Sequence, residues 1–145
     1  MTLENIVAWL KALDPELSDC IAAGSIDGSK EKFVGVYNDG KVKGNSRICL
    51  GGAENVRYAY KNVTVLIHWT NNAYQAEKKA QQIFNLIYGS CGLLMGNVPV
   101  VSVDPGTRPV SVGKDEYGIF EYVINMEICY ERILYYGYYW SSSCI

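Results

Sequence analysis

Histidine is almost absent from this chain: His68 stands alone among 145 residues. A metal cluster built on several histidines, or a mechanism that passes a proton between two, is therefore excluded. No GxxxxGK[ST] run occurs, and Gly89, Gly92 and Gly96 follow a helical pattern instead of opening one, so nucleotide binding has no sequence support. Long hydrophobic runs are missing as well. None reaches the roughly 18 apolar residues that span a bilayer, and Met1 to Leu13 lacks the basic start and apolar middle of a signal peptide. The expectation is a soluble, unexported chain without a membrane partner. Nor does one sign of charge dominate: 13 basic and 15 acidic residues leave a net charge of −2, which argues against a polyphosphate partner held mainly by charge. Cysteines number five, at 20, 49, 91, 129 and 144, an odd and widely spaced set with no CxxC pair. That pattern fits reduced thiols in a cytosolic product better than a secreted disulfide framework.

What the chain does have is one well-punctuated stretch, Val63 to Gly89. Val63, Val65, Ile67 and Trp69 fall on one face of a strand, with Thr64, Leu66, His68 and Thr70 on the other. Both faces are largely apolar, which predicts a central strand. A helix follows directly, with Ala73, Ala76, Ala80, Ile83, Phe84 and Ile87 on one side and Glu77, Lys78, Lys79, Gln81, Gln82 and Asn85 on the other. Thr70, Asn71 and Asn72 offer oxygens to its first amides, and Gly89 can adopt the left-handed conformation that ends it.

Around this unit the elements are shorter. Thr2 caps a first helix lined by Leu3, Ile6, Val7 and Leu10, and Asp14-Pro15 stops it. Residues 19–26 are weakly strand-like, Asp27-Gly28-Ser29 reads as a turn, and Phe33 to Tyr37 as a second strand. Asn38 to Ser46 is a Gly, Asn and Lys-rich loop, followed by a short apolar piece to Leu50; from Val56 the chain is extended. Ser90 to Asn97 reads as a Gly-rich connection, and Val98 to Val103 as a strand whose Pro99 suits an edge or a strand start. Asp104-Pro105-Gly106 is a turn that opens a loop to residue 117. The last regular element places Phe120, Tyr122, Ile124, Met126, Ile128 and Tyr130 on one apolar face, opposite Glu121, Asn125, Glu127 and Glu131. Ile133 to Ile145 is aromatic-rich and reads equally as a core strand or as a segment docking on a neighbour. Together these predict an α+β domain, an antiparallel curved β-sheet with two main helices packed on one face, over residues 1–132, with 133–145 as an extension.

Catalytic chemistry finds little footing. His68 alternates into a strand, where a hydrogen-bonded structural role outweighs that of a base. Cys91 follows a helix and does not sit on the strand-to-helix turn of a nucleophile elbow. No catalytic residue, cofactor or metal site is assigned, and a small enzyme using Cys91 or His68 is kept only as the rival class. Arg57-Tyr58-Ala59-Tyr60-Lys61 could stack single-stranded bases, but one such run gives no case for sequence-specific nucleic-acid binding.

The segments MTLENIVAWLKAL, KFVGVYN, ICLGGAENVRYAYKNVTVLIHWTNNAYQAEKKAQQIF and VSVGKDEYGIFEYVINMEICYER resemble the bacteriophage minor capsid proteins that are similar to tail terminators. The most specific pieces are Leu66-Ile67-His68-Trp69 running into an Ala-rich helix, and the spacing of Asp115, Gly118, Glu121 and Tyr122. The resemblance covers residues 1–132 and fades after Arg132. It implies a virion assembly protein, made in the host cytoplasm, that forms a ring, commonly a hexamer, at the head-proximal end of the tail. Its implied partners are itself, the tail tube protein, a head-tail connector or stopper protein, and a sheath if the tail is contractile. A head-side minor capsid or connector component is the alternative. Twelve tyrosines suit such interfaces, and the candidate interface residues are Tyr58, Tyr60, Lys41, Lys43, Glu121, Glu127, Tyr135, Tyr136, Tyr138, Tyr139 and Trp140.

Overall fold

The computed structural model describes residues 1–40, 50–52 and 55–132. Lys41, Lys43, Tyr135, Tyr136, Tyr138, Tyr139 and Trp140, and the expectations attached to them, lie outside the described residues. Helix α1 (Leu3–Leu13) leads through a short 3-10 turn (Pro15–Leu17) to strands β1 (Ile21–Ala23), β2 (Lys32–Asn38) and β3 (Tyr58–Trp69); helix α2 (Ala73–Ile87) follows, then β4 (Cys91–Met95), β5 (Val98–Asp104), β6 (Val110–Lys114) and β7 (Phe120–Glu131). The strands form one curled sheet in the order β1-β2-β3-β7-β5-β4, with β6 also pairing β7. The α+β expectation holds, with one addition: β1 runs parallel to β2, Ile21 beside Val34, so the sheet is mixed at that edge.

At the centre, β3 and β7 pair antiparallel from His68 opposite Glu121 to Tyr58 opposite Glu131. The register sets Val63 against Met126 and Val65 against Ile124, while β2 adds Val36 beside Val65 and Val34 beside Ile67. One apolar face results, and the helices cover it. Ile6 and Leu10 of α1 join Ala76, Ala80, Ile83 and Ile87 of α2 in the same cluster, all at 2% exposure or less. Burial of each large aliphatic side chain stabilises the fold by about 1.5–3 kcal/mol.

Local signals explain the boundaries. The Asn5 side-chain oxygen accepts from the Thr2 amide at 2.9 Å and from its hydroxyl at 2.8 Å, closing the start of α1. Asn72 caps α2 by accepting from the amides of Tyr74 and Gln75. Gly89 takes φ +75° just beyond the helix. On the sheet face away from the helices, an added Cβ at Gly35 would meet Ile26 Cγ1 and Tyr37 Cε2, each at 2.7 Å, so that strand position has room only for glycine.

Several expectations are corrected. The connection at 90–97 contains β4, which turns through Gly96 and Asn97 into β5, Met95 pairing Val98; a Gly-Asn pair between apolar runs is a hairpin signal that the glycine content obscured. β5 lies between β4 and β7 and is no edge, so of the two places that suited Pro99 it takes the strand start, as the second residue. The loop expected at 104–117 holds β6, whose five residues are all exposed. Ala73, assigned to the buried side of α2, is exposed at its first turn.

Lys79 is the largest departure. Assigned to solvent, it is 4% exposed; its ammonium donates to Asp14 Oδ2 at 2.7 Å and to Glu16 Oε2 at 2.8 Å, and lies 4.7 Å from the centre of the Trp69 ring. This ion group fastens α2 to the end of α1. The Asp14 arm carries the weight, since Asp14 is itself buried whereas Glu16 is 54% exposed and its pairing is weakened by solvent. Lys79→Ala is expected to lower unfolding stability by about 3–5 kcal/mol, because it strands the Asp14 carboxylate. Urea denaturation measures this, and a loss below about 1 kcal/mol would show that Asp14 finds another counter-charge.

Candidate functional site

The most chemically distinctive group of side chains lies at the C-terminal end of β3, on the sheet face away from the helices. His68 is there 1% exposed. Its Nδ1 lies 3.0 Å from Glu121 Oε1, directly across the β3–β7 pair, and its Nε2 lies 3.6 Å from Asp115 Oδ2. The turn from β6 to β7 delivers Asp115. Its Oδ1 accepts from the amides of Tyr117 and Ile119, both at 2.9 Å, and its backbone amide donates to the Ile119 carbonyl. Gly118, at φ +79°, makes that turn possible. Thus the spacing of Asp115, Gly118 and Glu121 has a physical meaning: one acid builds a turn, one glycine permits it, and both acids come to face the same imidazole.

His68 is accordingly a buried, hydrogen-bonded residue. Among the described residues neither ring nitrogen bonds a hydroxyl or a thiol, so no nucleophile is arrayed against it. Thr70, two residues on, occupies the sharp corner from β3 to α2 at φ +43°, unusual for a β-branched residue. It is 3% exposed, and its hydroxyl bonds the Asn72 backbone. Thr70 therefore braces the corner. Sequence reading had no means to find that strain, since nothing in a threonine announces a positive φ. Cys91 starts β4, exposed and separated from β3 by β5 and β7.

The interface candidates divide into groups. Tyr58 and Tyr60, 53% and 62% exposed, stand at the N-terminal end of β3, the end opposite His68. Tyr60 shares its face with Cys129 and Glu127; the adjoining Cys129, then burial and Glu127, push its phenol above the usual tyrosine range. Glu121 is brought together with none of these, being turned toward His68 at the far end of β7. Burial, with a smaller contribution from Glu121, likewise raises the Tyr37 phenol.

A known family matches this chain over residues 19–132: bacteriophage tail terminator protein. The chain belongs to the bacteriophage tail terminator family. It is thus a structural phage tail-completion protein and a virion component. The matched span runs from just before β1 to the end of β7 and takes in the whole His68 cluster. No curated protein matches. Among the solved structures that match, one is similar over 92% of this chain and 97% of its own, at 15% identity and a TM-score of 0.42. Among the described residues no helix is long and apolar enough to cross a membrane.

A thiol comparison tests the placement of the cysteines. Burial raises the Cys20 thiol above its ordinary range, and its Sγ donates to the Glu16 carbonyl at 3.4 Å, whereas Cys91 is exposed. At about pH 8, near the ordinary thiol pKa, iodoacetamide should modify Cys91 well before Cys20 in site-resolved mass spectrometry. Equal rates would show that the Cys20 shelter does not persist in solution.

Proposed function

We propose that this tail terminator forms a ring, a hexamer as its family resemblance implies, at the head-proximal end of the tail tube, stopping tube growth and presenting a surface to a head connector or stopper protein. Residues 1–132 form the ring-building domain, with 133–145 as an extension to it. The family match over residues 19–132 carries this reading. What supports the ring is the distribution of exposed apolar side chains. A head-to-tail ring needs two different, complementary patches on each subunit. One candidate patch is Tyr58 and Tyr60; the other is β6, where Val110 and Val112 are each 53% exposed. Val110 pairs Val123 and Tyr60 pairs Cys129, which sets the patches about 20 Å apart along β7. Among the described residues β6 has a strand partner on one side only, so its free edge can accept a strand from a neighbour.

Removal of the gene should yield tails of irregular length that fail to join heads, visible by electron microscopy. Purified protein that stays monomeric at high concentration, together with normal tails in the knockout, would sink the reading. The patches have their own test. Val110→Lys with Val112→Lys, or Tyr58→Ser with Tyr60→Ser, should change monomer stability by no more than about 0.5 kcal/mol yet abolish ring formation in light scattering. Deleting residues 133–145 should weaken association more than it lowers the monomer melting temperature; an equal loss in both would assign the segment to the core.

A further inference from the structure

We propose that His68 Nε2 and Asp115 bind a single first-row divalent cation, zinc being well suited, with Glu121 orienting the imidazole from its other nitrogen and water completing the shell, so that the ion ties the turn between β6 and β7 to the end of β3. The ligand-bearing atoms of these three residues lie within 4.8 Å of one another. Proximity of acids alone would mean little. The telling atom is His68 Nε2, buried, on a residue 1% exposed, and without a hydrogen-bond partner. A buried polar nitrogen left unpaired costs about 1–3 kcal/mol, so its position requires a cause.

The geometry supplies one. Glu121 Oε1, 3.0 Å from Nδ1, accepts that nitrogen's proton and fixes the tautomer, which turns the Nε2 lone pair outward. It faces Asp115 Oδ2 at 3.6 Å, too long for a hydrogen bond. Two ligand atoms held at about 2.1 Å from one ion in tetrahedral geometry stand about 3.4 Å apart, close to this gap. Asp115 is fixed for the task, because its other oxygen, Oδ1, is held by the amides of Tyr117 and Ile119. Glu121 acts as a positioning carboxylate that orients the ring. Charge is compatible with this, as two carboxylates converge on the one imidazole. An imidazole and carboxylate donor set favours zinc, manganese, iron or cobalt over magnesium or calcium. Side-chain exposures of 17% at Asp115 and 25% at Glu121 leave a route for the ion and for water ligands. The lone histidine gave no hint of this, because its partners lie about fifty residues on.

The test uses the full chain stripped with EDTA. Adding zinc chloride should raise its melting temperature by about 5 °C, and His68→Gln and Asp115→Asn should each remove the rise. A second measurement needs no variant: cobalt(II) added to the wild-type chain should give visible absorption without a sulfur-to-cobalt charge-transfer band, and nitrogen NMR should show the Nε2 resonance shift on zinc addition. The proposal is overturned by a melting temperature indifferent to zinc, by a charge-transfer band that places cobalt on the cysteines, or by an Nε2 that carries a proton and ignores zinc. None of these outcomes bears on ring formation, so the site stands or falls apart from the assembly role.

Discussion

Everything in this subunit depends on the pairing of β3 with β7. The two strands are the longest in the sheet, and their register decides two things at once. On one face it aligns Val63 with Met126 and Val65 with Ile124, which makes the floor on which both helices rest. On the other it sets His68 across from Glu121. A slip of one residue would reverse both faces together, exposing the floor and burying the acids, so the register is held from both sides. The core and the His68 cluster are therefore products of one constraint.

How much of this was legible in the sequence follows from the range of each interaction. The strand from Val63, the helix from Ala73, its Asn72 cap and the left-handed Gly89 all rest on spacing within a few residues, and they were read correctly. β6 was missed because its residues are exposed and have no buried alternation to betray them. β4 was hidden by its glycines. Lys79 was misplaced because a charge in a helical pattern implies water unless its counter-ions are known, and Asp14 and Glu16 lie 65 and 63 residues away in the chain. The His68 site was half legible. The spacing of Asp115, Gly118 and Glu121 stood out as a pattern, yet only the antiparallel pairing shows that both acids converge on a histidine 53 positions before Glu121.

The fold keeps the His68 cluster apart from one of its two exposed apolar patches, the other, on β6, lying beside it. The His68 cluster is closed in at one end of β7, while Tyr58 and Tyr60 stand open at the other. A structural phage protein has reason for such a division: contacts that hold the subunit rigid need not change when a neighbour docks. The ion group around Lys79 lies on the opposite face of the sheet, joining α1 to α2.

The order of the strands also governs time. Thr64 bonds Asn125 across 61 positions, so β3 has β2 for company but lacks its principal neighbour until residues 120–131 have been synthesised. At a translation rate of about 5–20 residues per second, that is a wait of several seconds with a long strand edge open to misplaced pairing. The interval also has a use. The strand that closes the sheet is the one against which β6 and the Tyr60 end of β3 are set, so under the proposed ring contacts a nascent subunit would have no finished docking surface. On that reading, it would not join a partner before it had folded itself.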